Sequence, residues 1–349
     1  MSQPERNKAT ESQTPSTTRR YALLLITMLL VVVLLPMAFR DRHIPIQFDQ
    51  SAVDSFEATE ANIVFLGNSL LDTRIDPDYL AELIDTNVSS LAIDGTAAGI
   101  WYLQLANVIA EATNPPEQIY VFFHDDLLTR HVYFTGPKDR QLQESLTHSN
   151  VSGYGLLPAR SESVIDKINS VLDKLYPIAN NSSTSRDNPL SSIGVNIVGM
   201  DENRSSEASD NIFGFANKRD LAPTIQQPKY HGSFDSMIGE SFLPFMYEHA
   251  AAIGSEIVFV RVAVRPNDDG SPNEPNTLTN YSADLREFLE SRNIRYIDMT
   301  AHIDEGAIDA GMYYDGYHLK HRFRDHYTEF FAEWMLAEIE SDSRQGATP

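Results

Sequence analysis

The chain has 349 residues, with 27 Lys+Arg against 49 Asp+Glu, a formal net charge of −22, and no cysteine. Without cysteine there can be no disulfide framework, Cys-ligated zinc, iron–sulfur cluster or thiol nucleophile. The acidic balance argues against sequence-independent nucleic-acid binding, which needs clustered Lys and Arg.

Residues 1–20 are polar, rich in Ser, Thr and Gln, and read as a disordered tail. Residues 21–39 (YALLLITMLLVVVLLPMAF) run for 19 residues without a charge. As a helix this segment spans roughly 28 Å, close to the hydrocarbon thickness of a bilayer. A cleaved signal peptide normally has an apolar region of about 7–15 residues followed by a small-residue cleavage site. This run is longer and no clear site follows it, so the expectation is an uncleaved transmembrane anchor. Arg6, Lys8, Arg19 and Arg20 precede it and only Arg40 and Arg42 follow closely, which places the tail in the cytoplasm and residues 40–349 outside. Setting aside the tail's four basic and two acidic residues leaves 23 basic and 47 acidic, a net charge of −24 beyond it.

Residues 40–60 read as a membrane-proximal linker. Short apolar runs rich in Val, Ile and Phe then recur at 62–67 (NIVFLG), 88–93 (VSSLAI), 118–123 (QIYVFF), 256–262 (EIVFVRV) and 294–297 (IRYI). Such runs fit strands buried on both faces. Helix-like stretches at 77–84, 97–112, 237–252, 278–292 and 322–339 lie between or after them. The alternation predicts an α/β fold: a three-layer α/β/α domain over 61–340 around a parallel sheet of about five strands. The long stretch between the third and fourth strands marks an insertion at about 130–235, with an amphipathic helix expected at 161–175 and a mobile Ser/Asn/Asp-rich part at 180–209. Residues 341–349 read as a second disordered tail.

Ligands of such sheets sit at the carboxyl ends of the strands. After the first strand comes Gly67-Asn68-Ser69. Ser69 there is either an ordinary helix N-cap or a hydroxyl presented to the crevice beside helix N–H groups. Before the last helix, Asp315 and His318 stand three apart. They either belong to an unrelated loop or meet on one turn, where the carboxylate would fix the imidazole as a general base for a serine.

Taken together, the Gly-x-Ser turn and the Asp-x-x-His block resemble the SGNH/GDSL hydrolase superfamily over residues 60–128 and 255–338. The resemblance implies a flavodoxin-like SGNH fold, Ser69 as nucleophile, His318 as base and Asp315 as its orienting acid. It also implies oxyanion donors from Gly95, with Gly99 as the alternative in the same turn, and from a third block that normally carries Asn after the third strand. Here that block reads Phe123-His124-Asp125-Asp126, and Asp125 falls nearest the place of the Asn. Three readings stay open: His124 donates instead, Asp125 is protonated by burial, or the site serves something other than simple ester hydrolysis. The apolar N-terminal segment, the GNS turn and the third block are similar in style to SGNH-type proteins encoded with bacterial surface-polysaccharide genes, including periplasmic proteins that O-acetylate alginate.

Arg261 and Arg265, at the end of the fourth strand, either bind a substrate carboxylate or acyl donor or pair with local acids. Trp101, Tyr102, Tyr313, Tyr314 and Tyr317 either form a sugar-stacking wall or belong to the core. The adjacent side chains of His124-Asp125-Asp126 point different ways and the His318/His321 pair has no third ligand in view, so no metal and no cofactor is expected. The resulting expectation is a single-pass protein of the bacterial inner membrane, anchored through 21–39 with its domain in the periplasm. It would act on acyl esters, O-acetyl groups of envelope carbohydrate above all, by hydrolysis or by transfer. The alternative is an inactive SGNH-fold component that binds carbohydrate. Expected partners are a carbohydrate or acylated small molecule and polysaccharide-assembly proteins, with no nucleic acid. The acidic outer part favours a neutral sugar acceptor over a polyanion.

Overall fold

A computed structural model describes residues 50–130 and 234–345, with side chains through Ala337, together with a few positions within 21–30 and 142–146 and Tyr230. The expected anchor lies mostly outside the described residues, as do most of the insertion and its expected helix at 161–175. Among the described residues no helix is long and apolar enough to cross a membrane.

Five parallel strands form the sheet in the order β2-β1-β3-β4-β5: β1 Ile63–Leu66, β2 Val88–Ser90, β3 Gln118–Phe123, β4 Glu256–Arg261 and β5 Arg295–Asp298. Side chains alternate across a strand, so each apolar run feeds two cores at once. Val64, Leu66, Ile119, Val121, Phe123, Ile257 and Phe259 pack on one side with Trp101, Leu243, Met246, Tyr281 and Leu285. Ile63, Phe65, Tyr120, Phe122, Val258 and Val260 pack on the other with Leu70, Leu71, Leu80, Tyr327 and Phe331.

Helices cover both faces. They are α1 Gln50–Thr59, α2 Ser69–Asp72, α3 Pro77–Ile84, α4 Ala98–Gln104, α5 Phe234–Ile238, α6 Leu243–Ala252, α7 Asn276–Glu290 and α8 Arg324–Gln345. Several boundaries differ from the sequence expectation for local reasons. Part of the expected linker is α1, because Val53 and Phe56 bury against the first core. The helix expected over 97–112 continues from α4 as a π-helical turn, Leu105–Ile109, and both parts are buried throughout. The single helix expected over 237–252 is two, separated at Gly239 and restarted by Pro244 in the first turn of α6. The last helix runs to Gln345, past the expected domain end at 340.

Candidate active site

The carboxyl end of β1 makes the first element of the site. Gly67 packs so closely that a Cβ there would sit 2.8 Å from Leu71 Cβ and 3.3 Å from Phe122 Cβ. The N-cap of α2 is Asn68, not Ser69. Asn68 is extended and its Oδ1 accepts the Leu70 N–H at 3.0 Å. Capping by the neighbour leaves the Ser69 hydroxyl available for other work.

The second element is a tight loop closed by a bridge between Tyr313 and Leu319. Asp315 organises it from within. Its Oδ1 accepts the backbone N–H groups of Tyr317 and His318, each at 2.7 Å. Its Oδ2 stands 2.8 Å from His318 Nδ1. Burial opposes ionisation of Asp315, but the bonds from the His318 ring and from these two amides outweigh it and hold the carboxyl below the usual range. An ionised Asp315 can only accept, so the ring proton belongs on Nδ1. His318 Nε2 is then an acceptor, and Ser69 Oγ lies 2.8 Å from it. The structure therefore brings Ser69, His318 and Asp315 into one hydrogen-bonded line. Tyr314 stacks on the imidazole, with ring centroids 5.3 Å apart and planes within 14°.

The third element flanks the serine on the side of β2 and β3. Gly95 is exposed with φ 68°, a left-handed conformation that glycine takes without strain. Its loop is tied to the serine turn through neighbours. Asn68 Nδ2 donates to Thr96 O at 3.2 Å, the Ile93 N–H donates to Gly67 O at 3.1 Å, and Trp101 Nε1 donates to Thr96 Oγ1 at 3.0 Å. After β3, the His124 ring lies 4.8 Å from that of Tyr317. Burial, followed by the positive charges of Arg130 and Arg74, pushes the imidazole down to about 3, so His124 is neutral. Its Nδ1 is buried with no hydrogen-bond partner among the described residues. Asp125 is buried with φ 49°, and its Oδ2 accepts a long 3.5 Å bond from the Tyr317 hydroxyl.

Two expectations need correction. Arg261 does not face a substrate: it is 2% exposed and bonded to Asp298 at 3.0 Å and Glu274 at 2.8 Å. Arg265 is buried too, bonded to the exposed Asp268 at 2.6 Å and to Ala310 O, with its Nη1 lacking a partner among the described residues. Local acids capture both because β4 ends between segments that supply carboxylates. Of the aromatics that read as core or as a sugar-stacking wall, Trp101, Tyr102 and Tyr313 are core residues, and Tyr314 and Tyr317 are partly exposed at the site. Among the described residues no group of three His, Asp or Glu is placed to hold a metal.

Sequence reasoning missed Arg74, Thr96 and the capping role of Asn68. The only available signal was their position within a few residues of Ser69 or Gly95.

A parallel α/β sheet with a Ser–His–Asp line at the carboxyl ends of its strands is the class of protein that fold and site define. The chain matches no family model and no curated protein. Among solved structures it is similar to a GDSL-like lipase from Bacteroides thetaiotaomicron VPI-5482, at 10% identity over 84% of this chain and 98% of that one, with a TM-score of 0.38. It is similar to a candidate acylhydrolase from Bacteroides fragilis NCTC 9343, at 11% identity over 79% and 86%, TM-score 0.37. A candidate platelet activating factor from Streptococcus pneumonia follows at 11% identity over 90% and 98%, TM-score 0.33.

Proposed function

We propose that this chain is an SGNH-type serine enzyme of acyl-ester chemistry. The observation that carries the reading is the continuous line from Ser69 Oγ to His318 Nε2 at 2.8 Å and from His318 Nδ1 to Asp315 at 2.8 Å. Ser69 Oγ attacks the acyl carbonyl as its proton passes to His318 Nε2. The imidazolium, stabilised by Asp315, returns that proton to the departing alkoxide as the carbon–oxygen bond breaks. Water or a sugar hydroxyl then attacks the acyl-serine, with His318 again taking and returning the proton. The first outcome is hydrolysis, the second O-acyl transfer.

The oxyanion donors in this reading are the backbone N–H groups of Ser69 and Gly95, joined by the neutral His124 ring in place of an Asn. Asp125, turned toward Tyr317, does not donate. Substrate class and location rest on sequence: the apolar 21–39 segment and its basic flank support a domain tethered outside the bacterial inner membrane. An O-acetyl ester of an envelope carbohydrate is the substrate proposed on that ground.

A serine-reactive phosphonate tests the chemistry. The full-length protein should be labelled at Ser69, and Ser69→Ala should abolish both labelling and acetyl release. Undiminished acetyl release by Ser69→Ala removes this mechanism. The buried Asp125 beside the site supports a second reading, a carbohydrate-binding component without catalysis. That reading predicts no labelling of the unaltered protein together with measurable glycan binding.

A further inference from the structure

Arg74 is 0% exposed, yet among the described residues it forms no ion pair. A buried guanidinium is expensive unless its donors are satisfied. Here backbone carbonyls satisfy the two terminal nitrogens, while Nε is buried without a partner among the described residues. Nη1 donates to Leu70 O at 3.2 Å, and Nη2 donates to Ala263 O at 2.8 Å and to Tyr317 O at 2.9 Å. Its charge lies between the rings of Tyr313 and Tyr327, 5.8 and 5.6 Å from their centroids. The three carbonyls belong to three separate segments. Leu70 follows Ser69, Tyr317 precedes His318, and Ala263 lies just beyond β4.

We propose that Arg74 is a positioning residue that holds the Ser69 turn and the Asp315–His318 loop in register. This rests on the acyl-serine reading above. A core filler of this size need not carry a charge, whereas a planar fork can reach two segments at fixed angles, which a lysine ammonium cannot. The register matters because the 2.8 Å bond between Ser69 and His318 joins parts of the chain 249 residues apart. A displacement of about 1 Å in such a pair costs about 10² in rate. Arg74 itself is too deep to touch substrate, so it acts through the two elements it joins.

The test compares full-length Arg74→Lys and Arg74→Met with the unaltered protein, each checked for a cooperative thermal melt. Three readouts are taken: the rate of phosphonate labelling at Ser69, kcat and KM on an aryl acetate, and the downfield proton resonance of His318 Nδ1–H. The expected result is a loss of about 10² in labelling rate and kcat for Met, a smaller loss for Lys, and an unchanged KM. The Nδ1–H resonance should broaden or vanish in Arg74→Met. Labelling within about threefold of the unaltered protein in both folded variants, too small a change for a misplaced pair, overturns the proposal. A change confined to KM also overturns it. Failure of both variants to fold overturns it too, by assigning Arg74 to the fold as a whole. If the unaltered protein is not labelled at Ser69, the acyl-serine reading fails instead. The resonance then decides alone: loss in a folded variant supports positioning, and persistence in both overturns it.

Discussion

Asp315→Asn tests the alignment of the site at one atom. The carboxylate accepts two backbone N–H groups at one oxygen and faces His318 Nδ1 with the other. An Asn oxygen can still accept both amides, though more weakly than a carboxylate, so the loop should keep its shape. The amide NH2 then faces Nδ1 at the 2.8 Å position and can only donate to it. The ring proton must move to Nε2, which now presents a donor to Ser69 and can no longer take its proton. Inversions of this kind cost about 10⁴ in kcat, which is about 5.5 kcal/mol. Asp315→Ala loses the same base orientation and also strands the two amides. Hydrogen bonds to a charged group are worth about 1.5–3 kcal/mol each, and the partial exposure of Asp315 argues for the low end. Aryl acetate hydrolysis and urea melts on the same preparations separate the two effects. The Asn variant should melt only slightly below the unaltered protein with activity reduced about 10⁴-fold, while the Ala variant should be inactive and less stable than the Asn variant. An Asn variant that keeps more than about a tenth of the activity would refute the tautomer argument.

Three further outcomes follow from the packing. Gly67→Ala forces Leu71 or the serine turn to move, and overpacking of this kind costs about 1–3 kcal/mol; an unchanged urea midpoint would contradict it. Thr96→Val keeps the shape but leaves the buried Trp101 Nε1–H without its acceptor, an expected loss of about 1–3 kcal/mol by the same measurement. Asp298 is buried, which opposes its ionisation, but Arg261, Ser282 and Thr300 outweigh burial and hold its carboxyl below the usual range. A lowered folded value means that the stabilisation is full above the unfolded pKa of about 3.9 and is lost as pH falls through the folded value. Below about pH 4, the urea midpoint should therefore fall more steeply in the unaltered protein than in Asp298→Asn, and equal slopes would count against the network.

Much of the architecture is local and so was readable. The stretches at 119–123 and 257–260 are apolar without interruption because each strand feeds two cores, and such a pattern survives in one dimension. Helix α3 was legible as well: Asp76 caps it, Pro77 opens it, and both signals sit at its start. The Ser69 and Asp315–His318 blocks could be nominated because both sit next to predicted element boundaries. Their partnership could not be derived from spacing alone.

What only the tertiary structure decided are the contacts between distant segments. Arg261 reads as an arginine at a strand end, and whether it meets substrate or acid depends on Asp298, 37 residues on. Trp101 reads as core or as sugar platform until Thr96 and the sheet close around it. Arg74 drew no reading from the sequence, because its carbonyl partners lie as far as 243 residues away. The sequence by itself determined the layers, the strand ends and the residue types placed there, because periodicity and turn chemistry are properties of neighbours along the chain. The tertiary structure decided which charges are satisfied and by what, because a buried polar group must take its partners from whatever backbone packs against it.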